Sequence, residues 1–272
     1  MSESTCSALS AGEPLAGTAS QTDAFLLLEV RGAWERDALD SLAERPAAAI
    51  RSWLDATPRS KALLIRRPDR RGDELAAFVV RADMRTARRF RLATYDDVAD
   101  LDLAGGGEPV DEPLALVCGH GRRDACCARL GRPLYDALCE ELEAESLWLS
   151  SHVGGHRFAP NLLWLPEGLL FGRVEPGQAV ALVEDLRAGR LPVGCLRGRT
   201  TWPPEAQAAE IAVRASGAHE IELVSAESGR IRLATPTGEI DVTVEIEHGP
   251  ALPPSCGAEP EIASRYLVTT IA

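Results

Sequence analysis

Residues 114–127, LALVCGHGRRDACC, and residues 147–156, LWLSSHVGGH, decide how this chain reads. Leu114–Cys118 is a short apolar run of the kind that forms a buried strand. His120 to Arg123 makes a loop, and Asp124 is placed to accept the free amides that open a helix. That helix is expected from about Ala125 to Glu143, with Leu130, Leu134, Leu138 and Leu142 on one face. Leu147–Ser151 reads as a second strand. Asn161–Leu165 and Leu169–Val174 form a hairpin around Pro166-Glu167-Gly168, and Pro176 to Ala188 a closing helix.

Strand, helix, strand, hairpin and helix in that order make the later part of a thioredoxin-like fold, so the fold class expected is α/β. Upstream, Ala24–Val30, Lys61–Arg66, Ala76–Arg81 and Thr86–Ala93 read as strands, with a helix from about Ala47 to Leu54. Asp69 to Gly72 supplies a turn. Gly105-Gly106-Gly107, then Pro109 and Pro113, is the clearest break. Downstream come a helix, Pro204 to Ser216, and strands at Glu220–Val224, Arg230–Ala234, Ile240–Ile246 and Tyr266–Ile271. The organisation expected is a floppy tail (1–22), an N-terminal α/β segment (23–104), a thioredoxin-like module (111–190) and a C-terminal α+β segment (196–272). The N-terminal strands can complete the module's sheet, so those two need not be independent.

The totals narrow the function classes. The chain has 272 residues and a formal net charge of −12. An acidic surface of that size repels phosphate backbones, so no nucleic-acid partner is expected. The arginine run Arg66, Arg67, Arg70, Arg71 reads as a solvated loop, because Asp69, Asp73 and Glu74 are interleaved with it. No apolar run reaches the length of a bilayer span, and Met1 to Thr22 lacks the basic and apolar regions of a secretory signal. The expectation is a cytoplasmic protein with no membrane partner. Seven cysteines, an odd number, argue against a disulfide framework.

Three of those cysteines fall within residues 118–127. In a parallel sheet the C-terminal ends of adjacent strands are neighbours, so Cys118 and Cys127 can meet His152 and His156 at one edge. Thiolate and imidazole together suit zinc, copper and iron–sulfur centres. The glycines at 119, 121, 154 and 155 would let the backbone approach a bulky inorganic core. Near a helix N-terminus, the Cys127 thiolate is favoured by the dipole. Two Cys and two His wrapped in glycines are poorly explained as packing, whereas Cys139 and Cys195 read as small buried hydrophobes. His120, His219 and His248 read as surface residues, and Cys6 and Cys256 as chemically idle. The nine-residue step from Cys118 to Cys127 is too long for a zinc knuckle, and Gly154-Gly155 makes a helical His-x₃-His site unsuitable. Rieske loops pair each Cys with a nearby His, unlike this chain. On spacing alone, iron–sulfur and zinc both remain open.

CGHGRRDACCARLG and SSHVGGHRFAPNLLWLPEGLLFGRV resemble the sucrase/ferredoxin-like family of thioredoxin-like ferredoxins, in its bacterial form. LLLEVRGAWERDAL and LRGRTTWPPEAQAAE extend the resemblance over most of the chain. It implies a [2Fe–2S] cluster held by Cys118, Cys127, His152 and His156. It selects Cys127 over Cys126, since successive helix positions point about 100° apart and only one can face the cluster. The function implied is that of an electron-transfer protein, with histidine ligation allowing proton coupling, rather than a stand-alone enzyme. Its partners would be a reductase and an acceptor protein, with a homodimer left open. Two other classes remain: a zinc-stabilised structural or binding module, and a thiol-dependent oxidoreductase. The latter lacks the usual C-x-x-C. Arg157 and Asn161 are candidates to support the ligands.

Overall fold

The computed structural model describes residues 5–68 and 74–272. The turn expected at Asp69 to Gly72, and with it Arg70 and Arg71, lies outside the described residues. The elements are α1 (Cys6–Leu9), β1 (Ala24–Glu29), α2 (Glu44–Ala56), β2 (Ser60–Arg66), β3 (Leu75–Arg81), β4 (Thr86–Leu92) and β5 (Glu108–Pro109). Then follow β6 (Leu114–Cys118), α3 (Ala125–Leu138), β7 (Leu147–Ser150), β8 (Asn161–Leu165), β9 (Leu169–Gly172), α4 (Ala179–Arg187) and β10 (Leu196–Arg199). The chain closes with α5 (Pro204–Ala215), β11 (Glu222–Glu227), β12 (Arg230–Thr235), β13 (Gly238–Leu252) and β14 (Glu261–Ile271).

The expected α/β class is correct. Ten strands form one mixed sheet in the order β10-β9-β8-β6-β7-β2-β1-β3-β4-β5, and β11–β14 form a separate antiparallel sheet. Inside the large sheet, β6 and β7 are parallel, β8 is antiparallel to β6, and β9 is antiparallel to β8. The N-terminal strands join through a short antiparallel pairing of β2 with β7, Ile65 opposite Ser150. Burial explains why the central strands read as unbroken apolar runs. Leu26, Leu28, Val117, Leu134 and Leu138 belong to one cluster, while Phe25, Leu27, Leu116 and Trp148 belong to another. Alternate residues of one strand thus go to opposite faces.

Several expectations change. The segment taken as a floppy tail is packed from Thr5 onward. Thr5 caps α1, and Cys6, Ser10, Glu13, Ala19 and Thr22 are buried. Short, scattered apolar residues hid this, because the segment is held by side-chain hydrogen bonds rather than by a periodic face. The triple glycine is no boundary between separate bodies. Gly107 adopts φ +80° where a Cβ would lie 2.8 Å from the Arg89 carbonyl, and the Arg88 guanidinium donates to the carbonyls of Gly106 and Gly107. The loop is folded onto β4 within one sheet. β10 also pairs with β9, so the sheet runs beyond residue 190. Arg66 and Arg67 are not simply solvated: they stack over Trp34 and Trp148 at 4.4 and 4.1 Å from the ring centroids.

Candidate metal centre

β6 and β7 run parallel with Cys118 opposite Ser150, so both strands end at the same edge. Cys118 is the last residue of β6. From there the chain turns through residues 119–123 into α3, capped by Asp124, whose Oδ1 accepts from the Cys126 amide at 2.8 Å. Gly131 sets how closely α3 lies on β6. A Cβ there would fall 2.1 Å from the Cys118 carbonyl oxygen, so only glycine allows the helix this near. That contact brings Cys127, on the first turn, over Cys118.

The four expected residues come together. Ligand atoms of Cys118, Cys127 and His152 all lie within 4.8 Å of one another. His152 Nδ1 is 4.0 Å from the Cys118 sulfur, and His156 Nδ1 is 3.4 Å from the Cys127 sulfur. The two imidazoles stack with centroids 3.6 Å apart. Both cysteines and His156 are buried, and His152 is half-buried. The charges within the group are coupled. A hydrogen bond from Cys127 and contact with His152 hold the Cys118 thiol well below its usual range, against the effect of burial. Donating that bond and being buried push Cys127 up. Of the two thiols, Cys118 is thus the one whose thiolate is favoured. Burial and the neighbouring His152 lower His156 to about 4, so its ring is neutral and its lone pair available.

The loop carrying the histidines is fixed by Arg197, which the sequence reading did not single out, together with Asn161 and Arg157, which it named as candidates to support the ligands. Arg197 of β10 is buried at 1% exposure. Its guanidinium donates to Gly154 O at 2.9 Å, Asn161 Oδ1 at 2.8 Å and Thr18 Oγ1 at 3.0 Å. Asn161 in turn donates to Gly155 O at 3.0 Å. Gly155 has φ +72°, and a Cβ on it would sit 2.5 Å from the guanidinium. Gly155 thus makes room for a buried arginine, and Gly154, where a Cβ would lie 2.8 Å from the Ser20 hydroxyl, for the packed N-terminal segment. Arg157 pairs with the buried Glu13 through two bonds of 2.8 and 3.0 Å, which ties residues 5–22 over the loop. Lys61 donates to Val153 O at 3.0 Å, and burial lowers it to about 8.

Two further expectations fail. His120 is buried, with its Nε2 2.7 Å from Glu35 O and its ring edge-on to Trp34. Cys139 is exposed rather than a buried hydrophobe. Cys6 and Cys256 are not isolated: both reach Cys126, at 3.6 and 3.5 Å. Adjacent cysteines on α3 thus face two different groups.

A family model described as sucrase/ferredoxin-like matches residues 15–198. Among curated proteins, "Altered inheritance of mitochondria protein 32" of Eremothecium gossypii is 35% identical over 106 residues, covering 34% of each chain. Its namesake in Clavispora lusitaniae is 34% identical over 100 residues, 34% of this chain and 37% of that one. The chain thus spans about a third of the length of these relatives. Among solved structures, a thioredoxin-like [2Fe–2S] ferredoxin from Aquifex aeolicus aligns over 32% of this chain and 91% of its own. Its identity is 19% and its TM-score 0.28.

Proposed function

The chain belongs to the sucrase/ferredoxin-like family, and from that premise we propose that it is a [2Fe–2S] electron-transfer protein whose cluster is held by Cys118, Cys127, His152 and His156. The observation that carries this reading is the donor set. Two sulfurs and the His152 ring nitrogen converge within 4.8 Å, and His156 abuts Cys127. Two thiolates with two imidazoles suit iron. Such a cluster would supply a one-electron carrier at this sheet edge.

The chain's own residues do the remaining work. The Cys118 thiol is shifted toward its thiolate and the His156 ring is held neutral, which favours both as ligands, while Cys127 must give up its proton on ligation. Arg197 and Asn161 fix the 152–156 loop, which keeps both imidazoles aimed inward. Lys61 and Arg197 bring positive charge to a site that would otherwise collect only negative charge. His152 is half-buried while the other three donors are buried, so it gives the site its contact with solvent and with a docking redox partner. Among the described residues no helix is long and apolar enough to cross a membrane. A cytoplasmic location, a reductase and an acceptor protein as partners belong to this proposal.

The test is the visible spectrum of anaerobically purified protein, with iron and acid-labile sulfide assayed on the same sample. About two irons and two sulfides per chain with a red-brown colour are expected. A colourless chain that takes up zinc but no iron and sulfide at these four residues would replace the reading with a structural zinc module.

A further inference from the structure

On the other side of the α3 N-terminus lies a second group of metal-ligating side chains that the electron-transfer reading does not use. The sulfurs of Cys6, Cys126 and Cys256 form a near-equilateral triangle, with separations of 3.6, 3.5 and 3.6 Å. The Asp124 carboxylate is 3.7 and 3.9 Å from the Cys6 sulfur through its two oxygens. One ligand atom from each of the four lies within 4.8 Å of all the others. Cys6, Asp124 and Cys126 are buried, while Cys256 is exposed.

We propose that Cys6, Cys126, Cys256 and Asp124 form a second, structural metal site for a thiophilic divalent cation, with zinc as the expected ion. Thiolates on one tetrahedral zinc, at about 2.3 Å each, lie about 3.8 Å apart, close to the observed triangle. The set is mononuclear in scale. Asp124 already accepts the Cys126 amide on Oδ1 and the Cys256 amide on Oδ2, at 2.8 and 2.7 Å. Those bonds orient the carboxylate and leave each oxygen a further lone pair for a cation.

Packing alone accounts poorly for this arrangement. Buried thiols do behave as small hydrophobes, and Cys6 and Cys126 share a small apolar cluster with Ala159. A carboxylate set against three sulfurs adds nothing to such a cluster. Burial, the Cys126 contact and the nearby Asp124 charge push the Cys6 thiol up. A divalent cation reverses that cost, because it takes the three sulfurs as thiolates and releases their protons to solvent. Three segments remote in sequence supply the donors: α1, the start of α3, and the loop between β13 and β14. The loop brings Cys256 in from the separate four-stranded sheet. Zinc here would staple residues 5–22 and the C-terminal sheet to the module. The exposed Cys256 provides the entry path.

The site stands independently of what the first site holds, and the test separates them. Full-length protein is stripped with chelator under reducing conditions and titrated with zinc, then with Co(II), whose thiolate charge-transfer bands report sulfur ligation. A Cys118→Ser/Cys127→Ser chain, which lacks the first site's sulfurs, is expected still to bind one zinc per chain. Cys256→Ser should weaken zinc by roughly tenfold or more. Cys6→Ser/Cys256→Ser should lose it while retaining the iron and sulfide of the first site. Cys256→Ser changes an exposed loop residue, so it decides the matter if the double variant fails to fold. The proposal is overturned if the Cys118→Ser/Cys127→Ser chain takes up no zinc. It is equally overturned if Cys256→Ser binds as tightly as wild type, or if the three sulfurs are recovered as a disulfide plus one thiol from protein kept under reducing conditions.

Discussion

Cys126 and Cys127 are neighbours in the chain and belong to two unlike regions. Cys127 faces one other sulfur, that of Cys118, and two imidazoles, all drawn from residues 118–156 within one sheet edge. Cys126 faces two other sulfurs and a carboxylate, drawn from residues 6 to 256. The first group is assembled by local geometry: parallel β6 and β7 end together, and α3 starts between them. The second is assembled only when both ends of the chain have docked. The difference teaches why one was readable from sequence and the other was not. Short spacings between ligand types announce a site whose parts are near in sequence, whereas parts 118 and 130 residues apart carry no such signature.

The largest effect should come from crossing the two cysteines. Cys127→Ala is expected to abolish iron and sulfide binding while leaving zinc uptake near wild type. Cys126→Ala should keep the visible spectrum and lose the zinc. Iron and zinc assays on both variants check this, and a Cys126→Ala protein without colour would erase the division between the regions.

Next comes the helix that separates them. Gly131→Ala would force a methyl to within 2.1 Å of the Cys118 carbonyl oxygen, so α3 must move off β6. Overpacking of this kind costs roughly 1–3 kcal/mol, and more where only backbone can yield. Urea unfolding of metal-free protein should read that loss. Both metal sites should weaken together, since α3 carries a donor of each. Loss at one site alone would show that the helix does not set their common geometry. A smaller loss, about 1–2 kcal/mol, is expected for Gly155→Ala, which meets Arg197 and requires φ +72° of a non-glycine residue. That change should disturb only the first site.

The same contrast measures how much was legible. Helix and strand positions in the module followed from apolar runs, the Asp124 cap and turn residues, and the large sheet is built from them. The Cys and His set was visible because β-strand ends concentrate chemistry. The packing of residues 5–22 was not visible, because Glu13, Thr18 and Ser10 hold it by polar contacts to Arg157, Arg197 and Arg173 that have no sequence period. Nor could the reading find Arg197, a buried cation whose partners are mostly carbonyls and an amide side chain. Glycines 154 and 155 were noticed, but the neighbours that crowd them were not, since Ser20 and Arg197 lie far away in sequence.

Lys61, the one lysine of the chain, gives the smallest and most discriminating prediction. Burial lowers it to about 8 and the Cys118 charge partly offsets this. A group depressed from its usual 10.5 contributes stability that is fully present above pH 10.5 and lost as the pH falls through about 8. At pH 7 the charged ammonium therefore costs the metal-free fold something, and the partial access of water reduces the cost. Lys61→Met should stabilise metal-free protein by about 1 kcal/mol at pH 7, with the gain fading toward pH 10.5, as read by urea unfolding at several pH values. In protein carrying the proposed cluster the sign reverses. A positive charge beside the site favours the more negative, reduced state, so removing it should lower the reduction potential by roughly tens of millivolts. The second region has no lysine beside it, so zinc affinity there should not change. A potential that stays put in Lys61→Met would mean that the lysine serves the loop carbonyl at Val153 and not the charge of the site.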